Sequence, residues 1–484
     1  MKKWNTTLRY AGFSLIGVSL LMYLAAFIAF RNDSDDSLNP LIFSAMASTL
    51  CGVFAIISTK PQEKMNIEEG YRIVTGCWIA ACVFGAIPFL MFGGEFTVIN
   101  AFFESVSGFT TTGASILNNI EALPQGLQFW RIASAWMGGI GIVTLVSLVI
   151  SAQNDRHSIL ASAELSDLSK SYYGGRRKFF VYRMLTVYIV ITLTSAIALK
   201  LTKMPWFDAI TLAMSACSTC GFCIKNISVA YYNNVMVEIV LIAAMLMGAT
   251  NFSLMFSTVW PDHRTHKNLF NTQIIRWFLV LVVIATLIVT ADLYFSGVYT
   301  SFPEALRFAA FQVCSLSTTT GFATTDTNLW PQFSMGILML CSLFCGCSGS
   351  TSGGMKMDRL VIVIKSLKGM VNSLIRAHNV TNVKIDGQTK TEVSVSSVLA
   401  FIGIYMFIIA IGTVVFAVSM DFHTSLSASI ACMGSVGPGF GPVGSLGNYA
   451  GLLGFQKVVA MIIMLLGRVE IFPMLITFRS IFHQ

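Results

Sequence analysis

Charge is what this sequence has least of. Asp, Glu, Lys and Arg together make up 11% of the 484 residues, where a soluble chain carries about 25%. That deficit excludes a soluble multidomain protein and a disordered one. Apolar stretches recur from Ala11 to the last residues, which excludes a single-span receptor and leaves little room for a soluble domain. Histidine is scarcer still, with six; His157, His263, His266 and His378 fall in expected loops and show no catalytic pairing. The eleven cysteines form no disulfide framework. Their number is odd, and most lie in apolar or glycine-rich stretches, where a thiol behaves as a small apolar group. Cys217-x-x-Cys220-x-x-Cys223 has metal-ligand spacing, but no fourth Cys or nearby His completes a site.

What the sequence has is apolar length. Hydrophobic residues make up 55%, and the mean hydropathy is +0.72. A helix needs about 20 apolar residues to cross a bilayer. That rule gives ten spans, near 11–30, 41–58, 72–92, 130–151, 179–202, 234–260, 273–296, 333–368, 394–419 and 453–480. The first resembles a signal peptide, but its apolar run exceeds the usual 7–15 or so residues and no small-x-small site follows it. It is expected to be a membrane span. With both termini cytoplasmic, 24 of the 31 basic residues fall on the inner side, as the positive-inside rule requires. The outer seven are Arg31, Arg131, Lys200, Lys203, Lys225, Arg307 and Lys457. The net charge of +8 therefore needs no nucleic-acid partner. The expected fold class is an all-α polytopic membrane protein.

Four further segments are apolar for only about 12 residues and then break into Gly, Thr, Ser and Cys, too short to cross. Non-helical backbone at membrane depth survives only when buried in protein or lining a water-filled cavity. Four such re-entrant segments imply a pore. They align on one glycine each: Thr110-Thr111-Thr112-Gly113-Ala114, Ser218-Thr219-Cys220-Gly221-Phe222, Thr318-Thr319-Thr320-Gly321-Phe322 and Gly434-Ser435-Val436-Gly437-Pro438. The glycines are 108, 100 and 116 residues apart. Two positions earlier stand Thr111, Thr219, Thr319 and Ser435, and six earlier stand Ser107, Ser215, Ser315 and Ala431. Thirteen earlier stand Asn100, Asp208, Phe308 and Thr424, three of them helix N-cap types. Each repeat therefore reads as span, short helix, Thr-x-Gly turn and span. The expected units are 1–70 with two extra spans, then repeats over 71–155, 156–265, 266–392 and 393–484.

Four segments meeting on one axis can strip water from a cation. Rings of backbone carbonyls replace the hydration shell of potassium. Glycine is needed where φ must be positive for consecutive carbonyls to face the axis. The short helices aim their negative ends at the cation. The candidate ion ligands are Thr111, Thr112, Gly113, Thr219, Cys220, Gly221, Thr319, Thr320, Gly321, Ser435, Val436 and Gly437. No acidic ring accompanies them, which suits a monovalent cation better than calcium.

These motifs carry a resemblance. Phe103-Glu104-Ser105, the Thr-Thr-Thr-Gly turns, Gly437-Pro438-Gly439, the stretch Gly346 to Lys356 and Gly467-Arg468-Val469-Glu470-Ile471 together resemble the membrane subunit of Trk-type potassium transporters, in the Trk/Ktr/HKT superfamily. The likeness runs over nearly the whole chain. It departs at Cys220, where relatives usually carry Gly, at Gly434-Ser435, where an Asn pair is usual, and at Cys345 and Ser352, which replace glycines. The resemblance implies potassium uptake across a bacterial inner membrane, a homodimer, and a separate cytosolic nucleotide-binding RCK-type (TrkA-like) subunit. Basic inner loops 152–183 and 356–392 are candidate docking surfaces for it. No cofactor is expected in this chain, and any nucleotide belongs to the partner. Channel-like transport and proton-coupled symport both stay open.

The eighth span, about 34 residues, is too long for one crossing at about 1.5 Å per residue. Gly346 to Gly354 breaks it mid-membrane. The resemblance assigns a gate there, with Gly346, Gly349, Ser350, Thr351, Gly353, Gly354 and Lys356 as its residues. Gly349 to Gly354 mimics a P-loop, but Met355 stands where the lysine is required. Arg468 lies deep in the last span, where a charge marks function by default. Three readings of it stand: an anchor on the gate's carbonyls, a pair with Glu470, or snorkelling. The competing functions are a sodium-preferring member of the same superfamily and a membrane enzyme. The enzyme would need a buried catalytic constellation that the spans lack. Glu104, Asp208 and Glu304 are expected at or near the starts of short helices instead. A sensor would need a soluble output domain, and the spans leave no room for one.

Overall fold

The computed structural model describes residues 2–32, 34–60, 67–141, 178–260, 269–375, 383–386, 388–389 and 392–482. The four histidines of the expected loops, residues 142–151 of the fourth expected span and most of the basic loop 152–183 lie outside them. The described residues form seventeen α-helices and a two-stranded hairpin, Lys384–Ile385 with Gln388–Thr389. The fold class is all-α and polytopic.

Helices α1 (Lys2–Phe30) and α2 (Leu38–Ser58) cross side by side and pack on α3 (Ile67–Phe92). Gly12 and Gly52 let the first two touch: a Cβ on Gly12 would stand 2.7 Å from the Gly52 carbonyl oxygen. Small residues provide such closeness in membranes, where lipid offers helices no hydrophobic reason to associate. Their outer faces carry bare apolar groups, with Phe54 74% exposed, as a lipid-facing surface requires.

Four repeats follow. In the first, α3 leads to the short α4 (Val98–Phe109), a turn, and α5 (Gln125–Ile140). The second has α6 (Lys178–Leu201), the short α7 (Trp206–Ser218), α8 (Val235–Gly248) and α9 (Phe252–Val259). The third has α10 (Gln273–Phe295), the short α11 (Phe302–Ser317), α12 (Gln332–Leu343) and α13 (Met357–Ile375). The fourth has α14 (Glu392–Phe416), the short α15 (Phe422–Gly434), α16 (Gly454–Arg468) and α17 (Ile471–Phe482). Each helix after a turn packs on the short helix of the next repeat: α5 on α7, α8 on α11, α12 on α15 and α16 on α4. The chain therefore closes on itself as a ring.

Six described helices are long and apolar enough to cross a membrane, and two bent pairs add two more. Three of the ten expected spans differ from straight helices. The stretch 234–260 bends by 102° between α8 and α9, and 453–480 bends by 109° between α16 and α17. The eighth is interrupted between Leu343 and Met357. The helix α5 also stops, at Gly141 with φ +81°. The three breaks and the end of α5 fall at comparable places, where the sequence predicts one break. Thr250-Asn251 and Val469-Glu470 interrupt apolar runs too briefly to lower their hydropathy.

Three of the short helices begin about one turn earlier than expected, and α11 begins earlier still. Thr97 and Asp421 are the N-caps, accepting from the amides of Asn100 and Thr424. Asn100, Asp208 and Thr424 are third residues of their helices, so these polar types sit opposite the caps instead of capping. At the surface, Thr424 holds the Asp421 carboxyl below the usual carboxylate range. Glu104 is likewise not at a helix start. It lies in the second half of α4, buried.

Gly138 shows how tightly the ring is drawn, since a Cβ there would overlap the carbonyl of Phe109 at the end of α4. Gly336, on α12, has no neighbour in that direction. We expect Gly138→Ala to lower the thermal unfolding midpoint in detergent by several degrees or prevent monodisperse expression. Gly336→Ala should match the unsubstituted protein, and equal midpoints for both would contradict the packing described.

Candidate functional site

Each short helix ends in the same turn. Thr111, Thr219, Thr319 and Ser435 adopt the left-handed conformation, with φ of +55°, +52°, +56° and +52°. Helices commonly end this way, but on glycine. A non-glycine residue there, β-branched at three of the four turns, is a strained exception, at about 1–2 kcal/mol each. The strain is held by two backbone bonds. Thr111 N–H donates to Gly108 O at 2.8 Å and Thr112 N–H to Ser107 O at 2.9 Å. The second bond recurs from Cys220 to Ser215, Thr320 to Ser315 and Val436 to Ala431, at 3.1, 2.8 and 2.9 Å. The residues six before each glycine are therefore the acceptors that close the turn. Since the acceptor is a backbone carbonyl, Ala431 serves as well as serine.

Two residues on, Gly113, Gly221, Gly321 and Gly437 have φ of +79°, +81°, +81° and +94°. They also interlock. A Cβ on Gly113 would overlap the carbonyl oxygen of Cys220, one on Gly221 that of Thr320, and one on Gly321 that of Val436. One on Gly437 would stand 2.6 Å from the carbonyl oxygen of Thr112. Each glycine thus seats against the carbonyl just before the next glycine, and the fourth returns to the first. All twelve predicted ion-ligand residues lie in this ring. Buried hydroxyls gather at its base: Thr111 and Ser435 have no hydrogen-bond partner for theirs.

The ring is braced from behind by side chains that differ between repeats. Ser315 Oγ donates to Phe322 O at 2.7 Å, and Tyr449 Oη to Gly437 O at 2.8 Å. Arg131 and Glu104 form an ion pair of 2.7 Å with both side chains fully buried. Arg131 is thus a core residue and not one of the outer loop charges expected of it. A polar residue inside an apolar helix is the signal that marks both Glu104 and Arg131.

The interruption between α12 and α13 lies against this base. Gly353 N–H donates to Thr319 Oγ1 at 2.9 Å. Thr351 Oγ1 donates to Cys217 O and Gly248 O, both at 2.9 Å. The α8–α9 elbow takes most of the rest: Cys347 N–H to Ala249 O at 2.9 Å, Phe252 N–H to Gly349 O at 3.1 Å, and Asn251 Nδ2 to Ser348 O at 2.7 Å. Gly346 packs on Ala249, Ser350 bonds to Cys347 O and Ser352, and Lys356 Nζ to Ser352 O. Gly349, Gly354 and Lys356 have positive φ, which makes the reversals. The predicted gate residues are thus brought together, with no helix or strand among them. Asn251 is not legible as a site residue in the sequence, because 234–260 reads as one span.

Arg468 ends α16. Its Nη1 donates to Thr351 O at 2.6 Å, and its Nη2 to Gly138 O and Gly139 O at 2.7 and 2.9 Å. It therefore joins the loop to the end of α5. Glu470 pairs with Arg359 at 2.6 Å instead. A cleft along the loop is lined by Gly139, Tyr188, Phe252, Ser350, Lys356 and Arg468.

Four half-length helices that end in one repeated turn, each turn seated on the next, define the class: a polytopic membrane transport protein. The chain belongs to the TrkH family of cation transport proteins, whose model matches residues 38–484. It is a transporter and not an enzyme. It is 29% identical over 486 residues to the Trk system potassium uptake protein TrkH of Salmonella typhimurium, covering 98% of both chains. It is 30% identical over 429 residues to the TrkH of Halomonas elongata, covering 87% of each. Its fold matches the crystal structure of the potassium transporter TrkH from Vibrio parahaemolyticus with a TM-score of 0.89 and 27% identity, over 99% of this chain and 100% of that one.

Asn251 both caps α9, through Leu254 N–H, and holds Ser348 O. Asn251→Asp keeps the cap and removes the donor. We expect it to speed hydrogen exchange of the amides in 347–351 by about tenfold, the worth of roughly 1.4 kcal/mol. Unchanged exchange would show that the elbow does not seat the loop.

Proposed function

We propose that this chain takes up potassium through the carbonyl ring, from the outside of a bacterial inner membrane to the cytoplasm. The observation that carries the reading is the closed interlock of Gly113, Gly221, Gly321 and Gly437 on the carbonyls of Cys220, Thr320, Val436 and Thr112. A dehydrated monovalent cation needs many oxygens at a fixed spacing. Backbone oxygens in an interlocked ring supply them without net charge. Helices α4, α7, α11 and α15 end at the ring and turn the negative ends of their dipoles toward it. The hydroxyls of Thr111 and Ser435 add oxygens at its base. The names of the relatives, potassium uptake proteins, support the same ion.

The segment 344–356 is the gate in this reading. It blocks the path below the ring and is held by hydrogen bonds to backbone and hydroxyl groups, which water can replace when it moves. Arg468 is its anchor and puts a positive charge beside the ion path. A cytosolic nucleotide-binding subunit of RCK type would bias the gate through the basic inner loops, with two copies of this chain forming the membrane unit. Transport by a coupled symport and channel-like flow remain two modes of the same ring.

The test is rubidium uptake into reconstituted vesicles, competed with potassium or sodium. Potassium should compete and sodium should not. Gly221→Ala should abolish uptake, because its methyl group would occupy the place of the Thr320 carbonyl oxygen. Arg468→Ala should raise basal uptake by freeing the gate. Equal competition by sodium, or full uptake by Gly221→Ala, would overturn the ring as the selective element. Unchanged uptake in a normally expressed Arg468→Ala protein would overturn the anchor.

A further inference from the structure

We infer that the buried Glu104–Arg131 pair is a positioning device that sets ion discrimination by fixing the spacing between the first and second turns of the ring. The inference rests on the reading of that ring as the selective element. Glu104 comes from α4 and Arg131 from α5, and neither touches the ion path. Both reach the backbone that leaves the ring. Glu104 accepts from Ser115 Oγ at 3.0 and 3.3 Å and from Ile116 N–H at 3.2 Å, two and three residues beyond Gly113. Arg131 donates through Nε to Glu104 at 2.7 Å and through Nη2 to Ser115 Oγ at 3.3 Å. Its other face serves the second repeat. The guanidinium lies 4.3 Å from the centre of the Phe222 ring, and Nη1 points to Cys223 O at 3.5 Å. Phe222 and Cys223 follow Gly221 directly. One ion pair therefore ties the exits of two adjacent turns, and Ser115 O receives Tyr449 N–H of the fourth repeat at 2.8 Å.

Stability alone does not account for such a pair. Two charges taken fully out of water cost more than they return unless every bond is made, and apolar replacements are often as stable. Here the bonds of the pair go to Ile116 N–H, Cys223 O and the Ser115 hydroxyl, all just past the ring's glycines. The pair is neutral as a whole, so it acts through geometry and not by adding a field.

That difference makes the two roles separable. Glu104→Gln and Arg131→Met should each lower the thermal unfolding midpoint in detergent, because each strands a buried partner. The double variant Glu104→Gln/Arg131→Met should recover most of the midpoint. Its preference for potassium over sodium, read by competition against rubidium uptake in vesicles, should still fall about tenfold. A double variant with the unsubstituted midpoint and the unsubstituted preference overturns the inference. Should the double variant not fold, Phe222→Leu carries the test, since it removes the ring under the guanidinium and leaves both charges. A lowered preference is expected there, and an unchanged one overturns the inference. Failure of the ring itself has another signature: the unsubstituted protein would show no preference, or Gly221→Ala would retain it, and this inference would fall with it.

Discussion

The contact on which the rest depends is a glycine α-carbon resting on a carbonyl oxygen of the next repeat. It occurs four times and returns to its start, from Gly113 round to Gly437. No side chain fits between, so glycine and carbonyl meet backbone to backbone, and side chains brace the turns only from behind. Each glycine reaches its seat because the residue two before it turns left-handed, at Thr111, Thr219, Thr319 and Ser435. Glycine would relieve that strain but would remove the hydroxyl. The turns then fix where the short helices end and how α5, α8, α12 and α16 pack on the neighbouring repeat.

The same ring explains the lower half of the molecule. Each described helix leaving a turn ends or breaks beneath it, and each end frees carbonyls where lipid cannot satisfy them. The breaks satisfy one another. The α8–α9 elbow bonds to residues 347–351, Thr319 receives Gly353 N–H, and Arg468 gathers carbonyls of Thr351, Gly138 and Gly139. The segment is held by backbone bonds, the hydroxyls of Thr319 and Thr351, the Asn251 amide and the Arg468 guanidinium. The permanent bracing lies instead behind the turns, in Ser315, Tyr449 and the Glu104–Arg131 pair.

Much of this was legible in the sequence. Span length is a hydropathy property, and four glycines at spacings near 108 residues are visible without structure. The break in the eighth span was legible because nine residues of Gly, Ser, Thr and Cys cannot hide in a helix. The breaks at Thr250-Asn251 and Val469-Glu470 were not, because two residues barely alter an apolar window. The caps stand one turn before the residues the sequence suggests, since Asn100 and Thr424 are as suited to capping as Thr97 and Asp421. Pairing was the least legible. Arg131 counts as one more outer charge until Glu104, 27 residues earlier, is found against it. Local sequence says which residues are polar, and only the closed ring says which meet.

The central claim is that backbone oxygens of four interlocked turns hold the ion. The most direct measurement is anomalous scattering from crystals grown in rubidium. The account predicts a peak on the axis, ringed by the carbonyls of Thr112, Cys220, Thr320 and Val436, that weakens when potassium is added and persists when sodium is added. Rubidium bound only away from those carbonyls, or displaced equally by sodium, would contradict it.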